Sequence, residues 1–144
     1  MLFLSAAGAG KAWWVLQGIM GWLTGVVTAR SLGRPAWAGV AALAVIWPAL
    51  RGHFSQGQFH LPAVLCLALG FAAWQAKRPL LTGLTWGLAI GLKVHAWPLL
   101  IVACCARRWR TVAAVFATLL IGGLGSIGLC LLYTSDAADE VLGG

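Results

Sequence analysis

Long apolar segments follow one another along almost the whole chain, and only short polar or basic turns separate them. Of the 144 residues, 61% are hydrophobic and only 9% are charged, whereas a soluble domain needs far more polar surface to cover its core. Lipid must therefore surround most of these side chains. A helix of about 20 apolar residues crosses the hydrocarbon core of a bilayer. The sequence predicts an all-α, polytopic transmembrane helical bundle with about six apolar segments.

Four of these segments have simple boundaries. They cover approximately residues 12–29, 36–50, 61–76 and 111–129. Pro35 and Pro62 mark the first turns of the second and third segments, where proline is favoured in a helix. The more polar stretch 51–60 between these two segments is interpreted as a loop.

The stretch 80–106 is apolar but is interrupted by Lys93, His95 and Pro98. It allows two interpretations. Two short helices, 80–92 and 96–106, would form a hairpin with Lys93 near its apex. The alternative is one long, tilted helix that is kinked at Pro98.

The distribution of basic residues distinguishes these two interpretations. The strongest basic loops contain Arg30 and Arg34, Lys77 and Arg78, and Arg107, Arg108 and Arg110. Basic loops remain on the cytoplasmic side of a membrane, and only the hairpin returns the third loop to the side of the first two. We therefore predict the hairpin, with the 51–60 loop and Lys93 on the outer side. The cations are spaced in short loops between apolar segments and are not clustered on one polar face. This spacing is typical of signals for membrane topology, so we expect no nucleic-acid partner.

Small and aromatic residues inside the segments predict helix packing. Gly83, Gly87 and Gly91 repeat every four residues on one helix face, where missing side chains let another backbone approach. Trp22 and Trp86 lie in the middle of their segments and are expected to pack between helices.

Lys93 is the strongest candidate for chemistry. A lysine this deep in an apolar stretch costs several kcal/mol unless it is paired or hydrated. Residues 1–129 contain no carboxylate side chain, so its anionic partner must be a ligand such as a phosphate, or must come from other sequence. The alternative is a lysine that extends to the outer interface.

Two further polar positions are candidates for binding. His95 could face the same aqueous pocket as Lys93, and a structural hydrogen bond is the alternative role. The amide of Gln58, just before the third segment, could bind sugar hydroxyls or a lipid head group, and capping of the helix is the alternative. We expect no metal ion, because no His or Cys cluster has ligand spacing.

The C-terminal residues differ from the rest of the chain. Residues 130–140 resemble, residue for residue, the translation of the transposase mosaic-end adapter that is used to build sequencing libraries. The chain's three acids, Asp136, Asp139 and Glu140, all lie in this part. We therefore expect a native reading frame that stops near Leu129, a non-native tail over 130–144, and no function for these acids.

Residues 57–110 contain a recognisable combination of motifs. Gly57 and Gln58 precede a membrane helix, a basic turn follows, the pattern T-G-L-x-x-G-L-A-x-x-L-K ends at Lys93, and the cluster 107–110 closes an apolar run that contains Pro98. This combination is similar to glycosyltransferase family 87 of the GT-C superfamily, which includes polyprenyl-phosphate-mannose-dependent mannosyltransferases. The family commonly has Asn two residues after the Gln, where this chain has His60.

The resemblance implies a partial GT-C-like transmembrane region over residues 1–129. It implies an inverting enzyme of the plasma membrane that transfers a hexose, mannose in particular, from a polyprenyl-phosphate donor to a glycan or glycolipid acceptor on the extracytoplasmic side. Lys93 would then stabilise the leaving lipid phosphate, and Gln58 and His60 would contact donor or acceptor. His95, chosen from its position beside Lys93, is the remaining predicted substrate-binding residue. Membrane lipids are the remaining partners, and no cofactor is expected.

The same resemblance places the catalytic Asp or Glu in an external loop upstream of the first segment. The segment in hand is therefore expected to be inactive by itself. Two other functions remain open from the residues alone. One is a transporter or channel that binds an anionic substrate at a broken helix. The other is a lipid-handling or purely structural membrane subunit.

Overall fold

The computed structural model describes residues 6–55 and 60–142. The described residues form six α-helices and one 3-10 turn. These are α1 (Ala6–Ser31), α2 (Ala36–Ser55), α3 (His60–Gln75), α4 (Pro79–Leu92), the 3-10 turn (Val94–Ala96), α5 (Pro98–Cys105) and α6 (Trp109–Leu142). The prediction of an all-α bundle with about six helical segments is confirmed.

The helices differ in how much of a membrane each can cross. Within the described residues, one helical stretch is long and apolar enough to span a bilayer alone, the 23-residue Trp109–Leu131 of α6, with a mean hydropathy of 2.1. Helices α3 and α4 are apolar over 16 and 14 residues. At 1.5 Å per residue they are about 24 and 21 Å long, which is shorter than the ~30 Å hydrocarbon core.

The 80–106 stretch folds as a hairpin. Helix α4 ends at Leu92, Lys93 is extended (φ −149°, ψ 114°), and α5 begins at Pro98 after the 3-10 turn. Arg108, just after α5, donates to the carbonyl of Trp74 at 3.1 Å, so the chain has returned to the end where α4 began. The hairpin prediction is confirmed, and the alternative of one long helix kinked at Pro98 is wrong.

Helices α1, α3 and α5 all end on the same side of the bundle. Arg30 of α1 and Gln75 of α3 line one cleft there, and Arg108 contacts Trp74. We call this side the basic end, because it carries seven of the ten Lys and Arg residues: Arg30, Arg34, Lys77, Arg78, Arg107, Arg108 and Arg110. The opposite side, where α2 and α4 end, is called the far end.

One backbone turn occurs three times at the basic end. Each turn has one residue in the left-handed region: Gly33 (φ 67°), Lys77 (φ 54°) and Arg107 (φ 51°). The following N–H donates to a buried alanine carbonyl: Arg34 to Ala29 (2.8 Å), Arg78 to Ala73 (2.9 Å) and Arg108 to Ala103 (3.0 Å). These are Schellman caps, which satisfy the last carbonyls of a helix. Two of the three use a basic residue where glycine is the usual choice.

Helix α4 packs closely against α6, as its glycine repeat predicts. A Cβ at Gly83 would lie 2.7 Å from the carbonyl oxygen of Thr111, and a Cβ at Gly87 would lie 2.7 Å from the Cβ of Thr118. At Gly91 the nearest atom would be 3.8 Å away, which is ordinary contact. The close approach is therefore confined to the first two glycines.

The core lies between α3, α4, α5 and α6. It is built from Trp86, Ile90, Ala103, Val112 and Val115. The Trp86 ring is 1% exposed, stacks on Trp74 with centroids 5.2 Å apart, and meets the Phe71 ring edge-on at 5.6 Å. The packing expected of Trp86 is thus confirmed, whereas that expected of Trp22 is wrong, because Trp22 is 53% exposed.

Two predicted boundaries need correction. Helix α2 continues to Ser55, so the polar stretch 51–60 is not a loop throughout, and 56–59 lie outside the described residues. Helix α6 continues past Leu129 to Leu142, because the added residues contain neither Gly nor Pro and many of them favour helix. Helix propensity does not indicate the origin of a segment, so the non-native origin of 130–144 stays a prediction.

The glycine contacts give opposite expectations for two alanine substitutions on α4. Gly83→Ala should lower the free energy of unfolding by about 1–3 kcal/mol, because its methyl group would overlap α6. Gly91→Ala should raise it by up to about 1 kcal/mol through helix propensity. Thermal unfolding of both variants in detergent, followed by circular dichroism, checks this. Equal effects of the two substitutions would contradict the α4–α6 packing.

Candidate functional site

Lys93 and His60 meet at the far end of the bundle. Because α3 and α4 are antiparallel neighbours, the first residue of α3 lies beside the residue that follows α4. The Nζ of Lys93 lies 2.9 Å from the Nε2 of His60, and it also contacts the Nδ1 of the same ring. Both residues are half-buried. The structure thus brings together two residues that are 33 positions apart in the sequence.

The break in the helix fixes the position of Lys93. The Lys93 N–H donates to the carbonyl of Ala89 at 2.8 Å and closes the last turn of α4. Its ammonium therefore lies at the carboxyl end of α4, where the helix dipole favours a positive charge. The extended backbone of Lys93 then leads the chain into the 3-10 turn, so α4 does not continue as a helix beyond Leu92.

The pair leaves hydrogen-bonding capacity for a ligand. A lysine ammonium has three N–H donors, and a neutral imidazole has one nitrogen that accepts. At least two donors of Lys93 therefore remain after the contact with His60. An anionic ligand with several oxygen acceptors, such as a phosphate, matches these donors in charge and in number.

Gln17 of α1 is a third polar residue in this region. A Cβ at Gly21, one turn further along α1, would lie 3.6 Å from Leu61, the neighbour of His60. The Gln17 side chain is 0% exposed, and neither its amide nitrogen nor its amide oxygen has a hydrogen-bond partner among the residues that the structure describes. A buried, unpartnered amide is costly, so Gln17 is a candidate contact for a polar ligand.

The other predicted site residues are not brought into contact with Lys93. His95 lies in the 3-10 turn and is exposed, and no hydrogen bond joins it to Lys93 or His60 in the part of the chain that the structure describes. Gln58 lies outside the described residues. The roles predicted for these two residues stay predictions.

Sequence reasoning found Lys93 but missed its contact with His60 and the burial of Gln17. The signal for the first was a cation in a chain segment without carboxylates, since an imidazole is then one of the few acceptors left. The signal for the second was an amide within the apolar segment 12–29. Neither signal specifies which helices become neighbours, and that information decides both contacts.

Comparison with known proteins identifies the family. The model of glycosyltransferase family 87 matches residues 1–137. The chain belongs to glycosyltransferase family 87. Searches of curated proteins and of solved structures found no significant match.

Membership of this family defines the general chemistry. The glycosyltransferase acts on a sugar donor and an acceptor, and proteins of this family are generally membrane proteins. The length and apolarity of Trp109–Leu131 agree with a membrane location. Family membership therefore favours the enzyme over the transporter and the structural subunit that the residues alone leave open.

A double-mutant cycle tests whether the pair is energetically coupled. His60→Leu alone should lower the free energy of unfolding by about 1–3 kcal/mol, because it leaves a half-buried ammonium without its acceptor. In a Lys93→Met background the same change should cost much less, since no ammonium is then left unpaired. Unfolding in detergent measures all four proteins. Additive effects would contradict a direct contact between Lys93 and His60.

Proposed function

We propose that this glycosyltransferase transfers a hexose, mannose in particular, from a polyprenyl-phosphate donor to a glycan or glycolipid acceptor. The observation that carries the proposal is the half-buried Lys93 ammonium, set at a helix break and held by His60. An ammonium with N–H donors left for a ligand matches an anionic group of the substrate in charge and in hydrogen bonding. The phosphate of a lipid-linked sugar supplies one.

The depth of Lys93 supports a lipid-linked donor. Helix α4 begins at the basic end and is 14 residues long, about 21 Å. Since the hydrocarbon core is ~30 Å thick, the Lys93 backbone lies below the opposite membrane surface. The flexible lysine stem brings the ammonium toward the level of the lipid head groups. A phosphate attached to a polyprenyl chain lies at this same level.

The ammonium would act on the leaving group. The acceptor oxygen attacks the anomeric carbon and forms the new glycosidic bond, while the bond from that carbon to the phosphate oxygen breaks. The acceptor proton passes to a carboxylate base, and negative charge develops on the departing lipid phosphate. Lys93 stabilises this charge by hydrogen bonding and by its own charge. Direct displacement inverts the anomeric configuration.

The base is proposed to come from outside residues 1–129. These residues contain no carboxylate side chain, so none of them fits the role. We therefore propose that the 144-residue chain binds the donor but does not complete the transfer. His60 holds Lys93 in place, and Gln17 supplies a buried amide for the substrate. Gln58 and His95 are further proposed substrate contacts.

The charge distribution supports a topology for the enzyme. Seven of the ten basic residues lie at one end of the bundle, which by the positive-inside rule faces the cytoplasm. The Lys93–His60 pair would then open toward the extracytoplasmic side of the plasma membrane. The donor phosphate would approach from the outer leaflet.

Lys93→Ala tests the proposed role in a transfer-competent form of the enzyme. Loss of one group that stabilises developing charge typically costs ~10²–10³-fold in kcat, and we expect a loss of that size. Lys11→Ala, which removes an exposed cation near the start of α1, is the matched control and should leave transfer unchanged. The assay follows radiolabelled mannose from polyprenyl phosphate to acceptor. Transfer that survives in the Lys93→Ala variant would remove Lys93 from the mechanism.

A further inference from the structure

A second potential anion site lies at the basic end, away from Lys93. A cleft of about 940 Å³ opens between the first turns of α4 and α6. Lys77, Arg78 and Arg110 line its rim, and Leu80, Leu81 and Ala117 are among the residues that form its apolar wall. Cations above an apolar groove match the two parts of a lipid, a charged head group and a hydrocarbon tail.

The side chains of the three rim cations have no partner among residues 6–55 and 60–142. No hydrogen bond or ion pair joins the side chains of Lys77, Arg78 or Arg110 to any described residue. The first acid in the sequence, Asp136, lies 26 residues beyond Arg110 in the same helix, about 39 Å away. The neighbouring Arg108 differs, because it donates to the Trp74 carbonyl and lies 3.9 Å from the centre of that ring. The rim cations are therefore available to an external anion.

Two helix amino termini add to the positive field at the rim. Helix α4 begins at Pro79 with no side-chain cap, and α6 begins at Trp109. The free N–H groups and the dipole of a helix start favour anions. The Schellman turn at Lys77 and Arg78 ends α3 and leads directly into α4, so it keeps both cations beside this helix start.

We propose that this cleft binds an anionic phospholipid of the membrane, with its phosphate between Lys77, Arg78 and Arg110 and one acyl chain along the apolar wall. The charge on the rim favours a lipid with net negative charge over a zwitterionic one. The apolar wall favours a lipid over a soluble phosphate. The proposal concerns the end of the bundle opposite Lys93 and does not depend on the proposed glycosyl transfer.

The test uses the 144-residue chain in bilayers of phosphatidylcholine with and without phosphatidylglycerol. Spin-labelled lipids measure the preference of the protein for phosphatidylglycerol. Triple replacement of Lys77, Arg78 and Arg110 by Gln should reduce this preference about tenfold or more. The matched control replaces Arg30, Arg34 and Arg107 by Gln. It removes the same charge from the same end but leaves the cleft intact, and should retain most of the preference.

A second variant separates lipid binding from loss of fold. Leu81→Trp fills the apolar wall without changing charge and should also release the spin-labelled phosphatidylglycerol, while circular dichroism shows unchanged helix content. If the cleft variant and the control lost the preference for phosphatidylglycerol equally, the preference would come from diffuse surface charge, and the proposal would be overturned. Full competition by soluble glycerol phosphate would overturn it as well, since the site would then bind the head group alone. If the unmodified chain showed no preference for phosphatidylglycerol, the proposal would also be overturned.

Discussion

The contact between the Lys93 ammonium and the His60 imidazole is the interaction on which the far end of the structure depends. It joins the end of α4 to the start of α3, and both of these helices are too short to cross the bilayer alone. A cation at this depth needs an acceptor, and residues 1–129 contain no carboxylate. The imidazole fills part of that need and leaves donors for a phosphate. The packing at the far end and the proposed catalysis therefore both depend on the Lys93 ammonium, whose hydrogen-bonding capacity His60 uses only in part.

The absence of carboxylates from residues 1–129 explains how the other cations are arranged. Arg108 stacks on Trp74 and donates to its carbonyl, which anchors the return of the hairpin. Arg110 and its neighbours in the cleft face open space instead. These five cations thus have three kinds of surroundings: an aromatic ring for Arg108, an imidazole for Lys93, and the cleft for the other three. The last two leave anion-binding capacity at opposite ends of one bundle.

The sequence predicts well what depends on local pattern. Apolar runs predict the helices, basic loops predict the hairpin, and the Gly83 and Gly87 spacing predicts close packing on α6. The sequence does not predict the contacts that depend on which helices become neighbours. His60 becomes the partner of Lys93 only because α3 and α4 are antiparallel, and Lys77 adopts a left-handed conformation that its residue type disfavours. The extension of α2 to Ser55 is not apparent from the sequence, because the polar residues of this stretch are typical of a loop.

Direct measurement of the distance from Lys93 to the donor phosphate tests the central claim most sharply. The chain is prepared with ¹⁵N in its lysine side chains and reconstituted in bilayers of phosphorus-free lipid with polyprenyl-phosphate mannose, so that the donor supplies the only phosphate. Nitrogen–phosphorus recoupling by solid-state NMR then detects ammonium groups near the donor phosphate, and Lys93→Arg assigns the signal. We predict that the Lys93 Nζ lies at hydrogen-bonding distance from this phosphate. Recoupling that is absent, or that persists in the Lys93→Arg variant, would contradict the account.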